Sequence, residues 1–287
     1  MEKILQLIDE KLQALREADS ALGTTKVVGL SQIDKNTANA AIGGGLEDKD
    51  KSDDAVAGGK VKIAVGELKP AQTEIIKEKA FGMAINFLLK DKWQNADLGN
   101  IVSKDNYIMD GHHRWAAISL IDPSSAVSVT KIDLPGQPLV TTLNLITKGK
   151  FGINNGNKGT GNVQEFTGKN FNAIISAAMK DGVKGEFPIS TEDVNKALGM
   201  IPGAEGNAEK GKQIMMANAD KLPKEKMPGA PARVEMPVIG PEQVKTVQNM
   251  LAKGQVDIEA PYSDGVKPVK ENLQETKRWQ KLAGIIK

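Results

Sequence analysis

The chain has two histidines, His112 and His113, and they are neighbours, set between the pair Asp110-Gly111 and the arginine Arg114. Tyr107-Ile108-Met109 precedes this group and Trp115-Ala116-Ala117-Ile118 follows it. The pattern predicts a strand, a tight turn and the start of a helix, with the apolar residues anchoring the element and the polar triplet facing outward. A helix N-terminus presents unpaired backbone N–H groups and the positive end of the helix dipole, and glycine lets the backbone come close to a ligand. Arg114 adds a forked, permanently charged donor, while an imidazole donates to phosphate or moves a proton near neutral pH. Asp110 is placed to orient a histidine, bind Mg2+ or stabilise the turn. The chemistry predicted is the capture of a phosphate-type anion with acid–base groups beside it. Against this stands the plain reading that Asp-Gly is a common turn pair. Two histidines and an arginine in succession weigh the balance toward function.

A metal centre is the rival use of these residues. Consecutive side chains at a helix start point about 100° apart, so His112 and His113 do not converge on one ion as an i, i+4 pair does. The chain has no cysteine, so a zinc site would need carboxylates, and disulfide or thiolate chemistry is excluded. Mg2+ carried by a nucleotide fits the residue types better than a protein-held transition metal.

The elements that must position this group lie in the 287-residue chain as follows. Alternation at Val61, Ile63 and Val65 predicts a strand, and Leu68-Lys69-Pro70-Ala71-Gln72-Thr73 ends it. A helix follows from Glu74 to Lys90, capped by Thr73, with Ile75, Ile76, Ala80, Met83, Ala84, Phe87 and Leu88 inward. Short strands are predicted at Ile101-Val102 and 106–109, a helix over 113–120, a strand over 127–132 and a helix over 139–146. Residues 1–20 carry a narrow apolar stripe at helical spacing, which predicts packing or homo-oligomerisation rather than membrane binding. Residues 34–60, with Gly43-Gly44-Gly45 and an acidic run, predict a flexible linker or long loop. Beyond residue 148 the texture is looser. Helices are predicted at 170–181, 191–198, 205–219, 241–253 and in the 269–286 tail, with loop over 151–162 and Pro-rich breaks over 223–241. The division is thus 1–60 helix and linker, 61–147 central domain, 148–287 mainly helical. The fold class is α+β, a small mixed sheet with helices.

Composition bounds the partners. Thirty-eight basic and 36 acidic residues leave a formal charge of +2, which gives no strong field for nucleic acid. The basic residues are almost all lysine; the arginines are Arg16, Arg114, Arg233 and Arg278. No apolar run approaches the roughly 20 residues of a membrane helix, and the expectation is a cytoplasmic protein, in the host cytoplasm or a virion if phage-encoded.

The run Asp110-Gly111-His112-His113-Arg114, with Leu68-Lys69-Pro70-Ala71-Gln72 upstream, resembles the ParB/sulfiredoxin-like superfamily, especially its members bearing Asp-Gly-His-His-Arg. The resemblance covers about residues 61–147. It implies a nucleotide-binding domain in which Gly111, His112, His113, Arg114 and Gln72 contact the nucleotide, ATP, ADP or CTP with Mg2+. It further implies phosphoryl transfer or phosphate-ester hydrolysis, with His112, His113, Asp110 and Glu74 in catalytic roles, Glu74 as base or Mg2+ partner and Glu78 as its substitute. For each glutamate the plain alternative is a solvated helix face. Sulfiredoxin activity needs a cysteine and is excluded. ParB-type DNA clamping needs a helix-turn-helix that is not identifiable after residue 148. Related domains include free serine kinases and nuclease-like phage proteins, so DNA binding or cutting, and a virion component with a degenerate nucleotide fold, stand as alternative expectations.

Overall fold

The structure, a computed structural model, describes residues 27–47, 56–156, 161–181 and 189–258. The helix predicted over 1–20, the acidic run after Glu47 and the tail helix over 269–286 lie outside these residues. The described elements are, in chain order, α1 (Lys35–Glu47), β1 (Gly58–Ala64), β2 (Lys69–Pro70), α2 (Lys77–Leu89), β3 (Asp97–Val102), β4 (Tyr107–Ile108), α3 (His112–Ile121), β5 (Ala126–Ile132), α4 (Gly136–Gly149), α5 (Phe171–Asp181), α6 (Thr191–Gly199), α7 (Ala208–Lys221) and α8 (Val244–Ala252). The class is α+β, a five-stranded mixed sheet with helices on both faces.

The strand order is β1-β5-β3-β4-β2. The outer β1 runs antiparallel to β5, β5 parallel to β3, β3 antiparallel to β4, and β4 parallel to β2. Strand side chains alternate between faces, and neighbours in sequence therefore join different cores. Ile101 belongs to one hydrophobic cluster and Val102 to the other. The first cluster gathers Val102, Ile108, Val127 and Val129 with α2, α3, α5, α6 and α7. The second gathers Ile101, Ile132 and Met109 with α1, α4 and α8. The core thus runs across residue 147 without a seam: α5 and α6 pack on α2, and α7 packs on α3.

Several expectations shift in detail. Residues 35–47 are helical rather than a linker, because Asp34 accepts from the Asn36 and Thr37 amides and starts the helix. The run is bent at Ile42-Gly43, where Gly43 takes φ +94°. Helix α2 begins at Lys77, not Glu74, and is not capped by Thr73. Residues 73–76 are held extended by another segment: Val163 N–H donates to Thr73 O (2.7 Å) and Ile75 N–H to Gly161 O (3.1 Å). Strand β1 lies at the sheet edge, paired on one side only, and its Val61 is exposed at 38%.

Helix α4 has a buried polar stripe that binds two irregular segments. Thr141 Oγ1 accepts from Val28 N–H (3.0 Å). The Asn144 amide nitrogen donates to Val28 O (2.9 Å) and Glu235 O (3.0 Å). These bonds seat residues 27–33 and a strap over residues 227–241 on the body. Removing one partner of such bonds leaves buried carbonyls unpaired, each costing about 1–3 kcal/mol. Asn144→Ala is expected to lower unfolding stability by about 2–4 kcal/mol, and hydrogen exchange should quicken across 233–238; wild-type protection in that segment would refute the assignment.

Candidate functional site

Strands β2 and β4 are parallel neighbours, with Lys69 opposite Tyr107 and Pro70 opposite Ile108. Parallel strands end on the same edge of a sheet, so the loop 71–76 after β2 and the turn 109–111 after β4 emerge side by side. This topology brings the two sequence motifs together. Met109 N–H donates to Ile101 O (2.8 Å) and continues the ladder to the turn. Asp110 follows, then Gly111 in the left-handed region (φ +83°, ψ 22°), and α3 starts at His112. A side chain at Gly111 is doubly forbidden. The φ is costly for other residues, and a Cβ there would lie 1.9 Å from Asn100 Oδ1. Asn100 is fully buried, and neither its amide oxygen nor its nitrogen has a partner. On the far side of the motif, Trp115 is sealed in the core and donates from Nε1 to Val65 O (3.1 Å), as its role of anchor requires.

The two imidazoles do not point outward as free donors. His112 Nε2 accepts from Ala71 N–H (3.2 Å), and His113 Nε2 accepts from Ile76 N–H (3.0 Å). The 100° divergence that disfavours a shared metal serves here to reach both ends of one loop. An imidazole accepting at Nε2 is neutral and carries its proton on Nδ1. Burial is the main cause that pushes both pKa values down to about 3; for His112 the charges of His113 and Arg233 add to it, and for His113 those of Arg233, Lys79 and Arg114. The positive charge expected of this pair therefore falls to other residues.

Those residues line one cleft of about 240 Å3, with Gln72, Lys79, Asp110, Gly111, His112, His113, Arg114 and Arg233 on its polar part. Met83, Met109, Met236, Pro237 and Val238 supply the apolar part. Arg114 reaches Asp110 across one turn at 3.4 Å, a long contact for a charged pair. Burial raises the Asp110 pKa and outweighs the opposing pull of Arg114, the Gly111 amide and Arg233. About a third of the Asp110 side chain nevertheless opens onto the cleft (36%), so its carboxyl is desolvated by the walls yet reachable.

Glu74 and Glu78 do not line the cleft. Glu74 Oε1 instead accepts the backbone N–H of Arg233 (3.3 Å), and its carbonyl accepts from Gln72 Nε2 (3.1 Å). Its position suits a brace for the strap better than a base. Arg233, together with 236–238, was not among the sequence candidates. The trace it leaves in the sequence is rarity: it is one of four arginines. Among the described residues, no three His, Cys, Asp or Glu side chains gather as a metal site, and no helix is long and apolar enough to cross a membrane.

No family model, curated protein or solved structure matches this chain.

Both imidazoles are expected to stay neutral at pH 5, with the proton on Nδ1. Long-range 1H–15N spectra would show it, and titration of either ring near 6.5 would disprove it. The linkage has a definite sign. The unfolded rings take up protons below about pH 6.5, whereas the folded rings resist until about 3. Their protonation thus favours unfolding, and stability falls as pH drops through that window. His113→Leu, which removes one of the two titrations, should flatten this part of the stability–pH curve.

Proposed function

We propose that the cleft binds the phosphate groups of a nucleotide. The observation that carries this reading is the convergence of the αL turn at Gly111, the start of α3, and the cations Lys79, Arg114 and Arg233 on one cavity whose lining has a single carboxylate, Asp110. Fixed cations and amides in a partly desolvated pocket favour an anion much more than the same groups in water. The methionine and proline wall offers an adaptable apolar surface of the kind a base or sugar packs against. At about 240 Å3 the cavity is smaller than the 300–1,000 Å3 typical of sites enclosing a drug-sized ligand. It suits the phosphate end of a nucleotide, with the remainder projecting outward. The resemblance to Asp-Gly-His-His-Arg members of the ParB/sulfiredoxin-like superfamily agrees in ligand class.

For phosphoryl transfer or ester hydrolysis, positioning and charge stabilisation do most of the work. Gly111 and Arg114 hold phosphate oxygens in this scheme. Neutral His112 and His113 hold the 71–76 loop, with only Nδ1–H groups to donate. Asp110 is the lining carboxyl, its pKa raised by burial, and is the acid–base candidate of the cleft. Where Mg2+ accompanies the nucleotide, Asp110 is the one lining carboxylate that suits it, in the manner of sites that bind the ion through one carboxylate and substrate phosphates.

A thermal-shift panel of ATP, ADP and CTP, with and without Mg2+, tests the proposal, since a ligand of the folded state raises its apparent stability by mass action. At least one nucleotide should raise the melting temperature of wild type. Arg114→Gln should weaken that ligand by about tenfold or more, the value of a lost charge-assisted contact. Absence of any shift at millimolar nucleotide would remove the proposal.

A further inference from the structure

Arg233 enters the cleft from a part of the chain far from the Asp110–Arg114 turn. It sits in a 3-10 turn (Arg233–Glu235) within the strap. That strap is pinned along its length. Met227 N–H donates to Pro70 O (3.2 Å), which covers the edge of β2. Arg233 N–H donates to Glu74 Oε1, Gly156 N–H to Val234 O (2.8 Å), and Ser31 N–H to Glu235 Oε2 (2.8 Å). The guanidinium is therefore presented from a fixed backbone, and little ordering entropy remains to be lost when it meets a ligand.

The guanidinium has no close ion-pair partner among the described residues, and the Glu74 and Asp110 carboxylates favour its charge only from further off. Its Nη1 is sealed from solvent with no acceptor. Glu74 Oε1 accepts from the backbone N–H of Arg233 rather than from its guanidinium, and Asp110 pairs with Arg114. The two histidines beside it accept backbone amides through Nε2 and bring no negative charge. Arg233 is half-buried with Nη1 sealed and unpaired, and an anion beside the fork offsets that desolvation. Its charge is delocalised over the planar fork, so an anion on the edge facing the cleft supplies what is missing even though Nη1 is covered.

Resting on the anion-binding reading of this cleft, we propose that Arg233 is a second binding residue, so that the ligand presents two neighbouring anionic groups, one to the Gly111–Arg114 turn and one to the strap. A diphosphate is the simplest such ligand. Asp110, in contact with Arg114 and near enough to Arg233 to feel its charge, holds the two cations in place while the cleft is free of anion.

Calorimetric titration of the full chain with inorganic phosphate and with pyrophosphate tests this. Wild type should bind pyrophosphate at least tenfold more tightly than phosphate, about the worth of one added charge-assisted contact. Arg233→Gln should abolish that preference while changing phosphate affinity less than about threefold, and Arg114→Gln should weaken both anions. Ligand-free Arg233→Gln should melt close to wild type, because the side chain is half-buried and its sealed Nη1 has no hydrogen-bond partner to lose. A preference for pyrophosphate that survives Arg233→Gln, or is missing from wild type that binds phosphate, sinks this assignment and leaves the cleft's anion reading standing. A ligand-free Arg233→Gln protein that melts well below wild type makes Arg233 a structural residue and equally overturns the assignment. Failure of wild type to bind either anion overturns both readings.

Discussion

The two bonds from the Ala71 and Ile76 amides to the Nε2 atoms of His112 and His113 are the constraint from which the site follows. They tie the first turn of α3 to the loop that leaves β2. That loop carries Gln72, on the cleft wall, and Glu74, whose carboxylate takes the Arg233 amide. The strap is held through Glu74 in turn, and with it Met236, Pro237 and Val238, which close one side of the cavity. One sequential motif thereby organises three separated segments. The bonds exist only while both rings are neutral, so burial and the surrounding cations support the architecture by keeping protons off Nε2.

The same arrangement redistributes charge. With the imidazoles neutral, the positive potential of the cleft comes from Lys79, Arg114 and Arg233. Burial lowers the Arg233 pKa and raises that of Asp110. Both groups are desolvated by the same walls, and an arriving anion relieves the first while adding to the burden of the second. A carboxyl in that position is suited to hold a proton while a phosphate oxygen lies near it.

Much of the fold was legible from periodicity. The strand over 127–132 and the helices expected between residues 170 and 253 appear within a few residues of their expected bounds, because their apolar spacing and turn residues act locally. The motif's strand, Asp-Gly turn and helix start were legible for the same reason, while the left-handed conformation of Gly111 came from the structure. The linker expected over 34–60 was not a good reading at 35–47, since Gly43-Gly44-Gly45 and polar neighbours mark a loop by composition while the Asp34 cap and packing against α4 make a helix. The start of α2 was misplaced because an extended pairing with 161–163 wins residues 73–76 from the helix.

The chain alone determined which groups are available and the local geometry of the turn: one Asp-Gly reversal, two imidazoles and a guanidinium at a helix start. Backbone dihedrals and helix phase depend on near neighbours, so they can be read from adjacent residues. Only the tertiary structure decided what those groups do. Whether an imidazole donates or accepts depends on the amide it meets and on how deeply it is buried. That Arg233 shares a cleft with Arg114 depends on a strap whose contact with Glu74 spans 159 positions. Long-range contacts of this kind are set by packing over the whole core, and no short window of sequence contains them.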